Sequence, residues 1–249
     1  MTQEAAPDRT VLRIAGDDAR DFLQGLVTNH LPDQNTPAVY AALLSPQGKY
    51  LADFFLIADG DAILLDIKAD LAAGVARRLG MYRLRAKVTI EPATLLVTRG
   101  LGPTPPGAFA DPRHPALGWR HYGQTAGGPP SIDWDALRVA HVIPETGVEL
   151  IPDESYILEM GFERLNGVDF RKGCYVGQEV TARMKHKTEL RKGLVQVAVD
   201  GLVPVGTPIT ANDKVVGRLF TQSEGIGLAY LRFDRAQDLQ AGSVALRMI

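Results

Sequence analysis

The stretch "AVYAALLSPQGKYLADFFLIADGDAILLDI", residues 38–67, constrains the fold more than any other part of the chain. It reads as three apolar strands, separated by the turns "SPQGK" (45–49) and "ADGD" (58–61). Connections that short leave no room for a crossover helix, so the strands must be antiparallel neighbours. Ahead of them "TVLRIAG" (10–16) is β-rich and ends in Gly16. Asp17 or Asp18 can then cap a helix through "ARDFLQGLV", with Phe22, Leu23 and Leu26 on one face. After them "ADLAAGVARRLGMYRLR" (69–85) predicts a helix whose basic C-terminal end suits the helix dipole. "AKVTIEP" and "ATLLVTRG" add two strands around Pro92. Helices and antiparallel strands interleave without a repeated βαβ unit, so the class is α+β rather than a doubly wound parallel sheet.

Residues 101–131 are crowded with Pro and Gly and read as a long connection or a decorated edge. "GLGPTPPG" does not follow the strand-to-helix pattern of a phosphate-binding loop, so nucleotide binding is not indicated. "SIDWDALRVAHVI" (131–143) resumes a helix, with Asp133 as its cap. From Lys192 the runs "GLVQVAVDG", "TPITAND", "KVVGRLFTQ", "GIGLAYLRF" and "SVALRMI" are short, with Gly, Pro, Asn or Asp at the breaks. That pattern predicts a small antiparallel barrel or sandwich. The domain boundary falls near 190, giving 1–190 and 191–249 with the Pro/Gly-rich connection near 100–130 inside the first.

With a net charge of −2, the chain presents no global positive field, so neither nucleic acid nor membrane is an expected partner. "MTQEAAPDRT" lacks the basic start and apolar run of a secretory signal. The longest apolar candidate for a membrane span is cut by Asp53, Asp59, Gly60 and Asp61. A single cysteine excludes an intrachain disulfide framework, and a cysteine-rich zinc or iron–sulfur site built by this chain alone. His30, His114, His121, His141 and His186 show no ligand spacing, so no metal is expected. The expectation is a soluble protein in a reducing cytoplasm.

The lone cysteine lies in "FRKGCYVGQE" (170–179). Val176, Val180 and Met184 recur at four-residue spacing and predict a helix after Gly173. Glu179 and Arg183 then form an i,i+4 pair. Cys174 would stand at or just before the helix N-terminus, where unpaired amides favour a thiolate. Arg171 and Lys172 would lower the thiol pKa further. Gly173 and Gly177 remove side chains where a ligand or partner could approach, and Gln178 and Glu179 supply an amide and a carboxylate. The alternative is a small buried hydrophobe. Asp53 is read either as the solvent side of a strand or as a ligand group; Gln24, Thr28 and Asn29 either line a cavity or cap the first helix.

"KGCYVGQE" resembles the signature of the YgfZ-type folate-binding proteins, relatives of the glycine-cleavage T-protein (GcvT) that assist iron–sulfur cluster maturation. "DDARDFLQGLVTNHL" (17–31), "LLSPQGKYLADFFL" (43–56) and "GVDFRKGCYVGQEVTARMKH" (167–186) carry the resemblance over most of the chain outside 100–130. It implies a GcvT-like α+β fold, with antiparallel sheets and helices around a central cavity in two subdomains, and a C-terminal antiparallel barrel. It implies tetrahydrofolate or a related reduced folate as ligand, and iron–sulfur client proteins or assembly factors as partners. It makes Cys174 the functional thiol and places Lys172, Gly173, Tyr175, Gly177, Gln178, Glu179, Arg183, Asp53 and Asn29 at the ligand site. Two departures stand out. Aligned through Pro144, the glutamate that grips the pterin in the T-protein reads Ala140, leaving Glu145, Glu159 or Gln178 as acceptors. The T-protein's adjacent aspartates read Ala52–Asp53, which argues against aminomethyl transfer. "HKTELRKG" (186–193) also lacks an expected glycine. The reading is a tetrahydrofolate-binding accessory factor acting through Cys174, with a folate-dependent aminomethyltransferase or demethylase as the alternative.

Overall fold

The computed structural model describes residues 3–187 and 189–249; Thr188, within "HKTELRKG", lies outside the described residues. The chain forms two compact units. One takes the chain up to Ile132 together with Glu163–Gln178; the other takes Asp133–Phe162 together with Glu179–Ile249. The unit that holds the barrel is therefore larger than 191–249.

The first unit begins with β1 (Gln3–Ala5), β2 (Arg9–Ala15) and α1 (Ala19–Gln24). Then come β3 (Val39–Leu44), β4 (Tyr50–Asp59), β5 (Ala62–Lys68), α2 (Ala69–Arg83), β6 (Thr89–Pro92) and β7 (Leu96–Gly100). The expected hairpins are present: β3, β4 and β5 pair antiparallel within a five-stranded sheet ordered β3-β4-β5-β2-β6. Leu12, Ile14, Ala41, Leu43, Ala52, Phe54, Leu56, Ile63, Leu65 and Ile67 recur at every second position. They form the apolar face on which Leu23 of α1 and Ala72, Val75 and Leu79 of α2 pack. The opposite face carries Tyr40, Asp53, Phe55 and Asp66, and these too are buried. Burial on both faces explains why these strands read as continuous apolar runs.

One local expectation needs correction. α1 ends at Gln24, and Asp18 accepts from the Lys87 amide at 2.8 Å rather than capping the helix with its side chain. The two strands expected around Pro92 are present as β6 and β7, in different sheets. Of the two readings of residues 101–131, the structure favours the decorated edge: β8 (Phe109–Ala110) and β9 (Trp119–Gly123) build a second sheet ordered β1-β7-β9-β8.

The two faces of charge meet in a buried network. Asp66 accepts from Arg9 Nε at 2.7 Å, Arg120 Nη1 at 2.9 Å and the Tyr122 hydroxyl at 2.9 Å. Arg113 holds Asp111 through two bonds of 3.0 and 2.8 Å, and Arg120 lies 3.8 Å above the Phe55 ring. Burial alone would push the Asp111 carboxyl up; the Arg113 and Arg120 guanidiniums outweigh it and hold the carboxyl below its ordinary range.

In the second unit α3 (Trp134–His141) is capped by Asp133, which accepts from the Ala136 amide at 2.8 Å as its sequence position implies. α4 (Gln178–Lys187) leads toward β10 (Lys192–Val199), β11 (Thr207–Ala211), β12 (Lys214–Ser223), β13 (Ile226–Arg232), β14 (Leu239–Ala241) and β15 (Val244–Met248). These six close into a barrel, β10-β13-β12-β11-β14-β15, which leaves no free edge. Alternate residues such as Val197, Val199, Ile209, Leu219, Ala229 and Leu231 fill its interior. Arg138 and Glu149 form a buried pair at 2.9 Å, and Glu149 also accepts from the Thr221 hydroxyl.

Candidate thiol site

Cys174 is exposed, in a turn-rich segment ahead of α4. The helix does not start after Gly173. It starts at Gln178, because Gly177 adopts φ +85°, a left-handed conformation that interrupts a helical run. Cys174 therefore stands clear of the first helical turn, and the expected help from the helix N-terminus does not hold.

The segment that carries the thiol is laced to the end of α1 and the residues after it. Thr28 Oγ1 donates to the Gly167 carbonyl at 2.7 Å and accepts from the Ala42 amide at 2.8 Å. The Asp169 amide donates to the Thr28 carbonyl at 3.0 Å. Asn29 Nδ2 donates to the carbonyls of Tyr40 and Asn166 at 3.0 and 2.7 Å. The Val176 amide donates to the Gly25 carbonyl at 3.3 Å. Thr28 is thus a buried tie and not a helix cap, and the Asn29 amide is spent on the same tie.

Lys172 is the main tie. Its side chain is buried, and Nζ donates to the Gln24 carbonyl at 2.7 Å and to the Val27 carbonyl. The ammonium lies 5.0 Å from the centre of the buried Tyr175 ring. Lys172 is an internal strut, not a ligand-binding cation. Burial pulls its pKa down from 10.5 to about 8, against an opposing pull from Asp169. Between those values the unfolded chain binds more protons at this site, so its contribution to stability rises with pH from about 8 to about 10.5. Urea denaturation of the wild type and Lys172→Met should show the wild type gaining relative stability across that window. A pH-independent difference would contradict the buried strut.

Gly177 serves a close approach of the chain to itself. A Cβ there would lie 2.6 Å from the Ser45 carbonyl oxygen and 2.9 Å from Leu44 Cβ, against the β3–β4 turn. Gly173 has open space around it. Lys172, Tyr175 and Gly177 therefore anchor the segment, while Arg171, Gly173 and Cys174 face out. Beside them Asn29, Glu163, Asn166, Val168, Asp169, Phe170 and Arg171 line a groove of about 370 Å³.

The remaining candidates fall elsewhere. Asp53 is buried and accepts from the hydroxyls of Tyr40 and Tyr50 at 2.8 and 2.7 Å, so it is not on the solvent side of its strand. Burial and the Asp53 charge push the Tyr40 hydroxyl pKa well up. Gln178 opens α4; Glu179 and Arg183 are exposed on that helix within the second unit. Ala140 is exposed on α3, and Glu159 accepts from the Tyr230 hydroxyl at 2.6 Å. Among the described residues no group of three or more His, Cys, Asp or Glu could hold a metal ion.

Residues 191–249 match the family model of the CAF17 C-terminal β-barrel domain. Over 269 aligned residues the chain is 33% identical to the human mitochondrial iron–sulfur cluster assembly factor IBA57, covering 90% of this chain and 75% of that protein. The mouse mitochondrial IBA57 is 31% identical over the same shares. The chain belongs to the IBA57 family of iron–sulfur cluster assembly factors. The crystal structure of glycine cleavage system aminomethyltransferase T from Bartonella henselae superposes with a TM-score of 0.76, covering all of this chain and 84% of that one. At 12% identity this likeness establishes the GcvT-like fold and nothing about activity. The expectation of a cytoplasmic protein is overturned, because the human, mouse and Pyricularia oryzae IBA57 relatives are all named mitochondrial.

Proposed function

We propose that this IBA57-family protein is an accessory factor for the assembly or repair of iron–sulfur proteins, and that Cys174 is its working group. The observation that carries the reading is the contrast within the six residues Lys172–Gly177. Cys174 is exposed, while Lys172, Tyr175 and Gly177 fasten the segment to the protein. A buried, packing thiol would not need such a mount. One thiolate supplies one of the ligands a cluster needs, so a partner protein or a small thiol provides the others.

Tetrahydrofolate, the ligand that the sequence resemblance implies, is not the working group. The donors present do not fit the pterin grip of the T-protein: Ala140 carries no acceptor side chain, and both oxygens of Asp53 are engaged by tyrosines. The same two facts count against aminomethyl transfer.

Two measurements on purified protein test this. Iodoacetamide should label the single thiol in the native state at a rate within several-fold of the urea-unfolded rate, as exposure requires. The labelled protein should then fail to support activation of a [4Fe–4S] enzyme that the unlabelled protein supports. Full activation by labelled protein would sink the thiol reading, and unaltered tetrahydrofolate titration by labelled protein would separate the ligand from the thiol.

A further inference from the structure

The end of α2 and the loop after it, "ARRLGMYRLRAK" (76–87), concentrate Arg77, Arg78, Arg83, Arg85 and Lys87. Two apolar side chains project among them: Met81 is 64% exposed and Leu84 is 89% exposed. Leu84 also has φ +44° and ψ −106°, a conformation that suits glycine and strains a branched side chain.

The loop that holds Leu84 outward is well fastened. The Ala86 amide donates to the Arg83 carbonyl at 2.7 Å, and the Arg83 guanidinium donates to the Val88 carbonyl at 3.2 Å. The Lys87 amide donates to Asp18 at 2.8 Å, and its ammonium pairs with Asp17 at 3.0 Å. Arg77, Arg78 and Arg85 have no ion-pair partner among the described residues. Two apolar side chains are thus exposed, one of them under backbone strain, in a stretch where, among the described residues, Arg77, Arg78 and Arg85 are unpaired and Lys87 alone is offset by Asp17 and Asp18.

We propose that this end of α2 is a peripheral docking site for an anionic lipid bilayer, with Leu84 and Met81 entering the interface and the arginines against the headgroups. Charge complementarity selects an anionic surface. Two apolar side chains are too few for the core of a stable protein interface, which covers about 800 Å² on each partner. They suffice at a bilayer, where inserted apolar groups and nearby cations each add to binding independently. Nucleic acid supplies phosphates but no apolar medium for Leu84 and Met81. The expectation of no membrane partner came from the net charge of −2, which averages over the surface and hides a local patch.

The test is co-sedimentation with vesicles of equal parts phosphatidylglycerol and phosphatidylcholine, compared with phosphatidylcholine alone. The wild type should pellet with the mixed vesicles at low salt and remain in solution with the neutral ones. Leu84→Gly separates strain from function. It should raise the urea midpoint by relieving the positive φ, and lower vesicle affinity about tenfold, the loss expected for one inserted leucine. Arg77→Glu combined with Arg85→Glu should abolish binding at an unchanged midpoint. The proposal is overturned if the wild type ignores the mixed vesicles at low salt, or if Leu84→Gly binds them as tightly as the wild type.

Discussion

Gly177→Ala should destabilise the protein by about 3 kcal/mol and shift the segment that presents Cys174. Two costs combine. The left-handed φ of +85° costs an L-residue about 1 kcal/mol. The new methyl would also sit 2.6 Å from the Ser45 oxygen and 2.9 Å from Leu44 Cβ, and neither neighbour can rotate away. The Ser45 carbonyl already accepts from Gly48 at 2.8 Å to close the β3–β4 turn, so relief requires moving that turn or the thiol segment. Overpacking of that kind costs about 1–3 kcal/mol. Gly173→Ala is the control: its Cβ would meet nothing within 4 Å, so a change within about 0.5 kcal/mol is expected. Urea denaturation of both variants decides, and equal midpoints would contradict the packing described.

Asp66→Ala should cost about 3–5 kcal/mol, the range for removing one partner of a buried ion pair. Asp66 has no exposed surface and faces Arg9 and Arg120, so its loss leaves two buried guanidiniums short of countercharge. Asp111, 3.3 Å from Arg120, is already held bidentately by Arg113 and compensates little. Asp59→Ala gives the contrast. Asp59 pairs with Arg13 at 3.0 Å, but both side chains are about half exposed, and solvent screening limits the loss to about 0.5 kcal/mol. A domain that folds by about 5–15 kcal/mol tolerates the second change easily and the first only narrowly.

The contrast between these sites also explains what the sequence could reveal. The three strands of 38–67 and the Asp133 cap were legible because their signals lie within a few residues: a turn glycine, an apolar run, a carboxylate three residues before an amide. The barrel was legible for the same reason, although β14 is too short to give a signal of its own. Lys172 was not legible as a strut, because its carbonyl partners lie 148 and 145 residues away in the chain. Asp53 reads as a polar residue on a strand until Tyr40 and Tyr50 are seen to enclose it. No local pattern in the sequence marks Asp66, Asp111, Arg113 and Arg120 as partners. Charges inside "AILLDI" and "GWRHY" were the available hint, but pairing between them spans up to 54 residues. The start of α4 was misplaced because apolar spacing carries no record of the Gly177 dihedral.

The most direct test of the central claim is replacement of Cys174 by Ala in the host, with the activity of a [4Fe–4S]-dependent enzyme assayed under mild oxidative stress. Cys174 is exposed and packs into no core, so the variant should accumulate to the wild-type level. Enzyme activity should nonetheless fall to the level of cells lacking the whole protein. Activity equal to wild type, in cells where deleting the whole protein lowers it, would contradict the claim that the thiol is the working group.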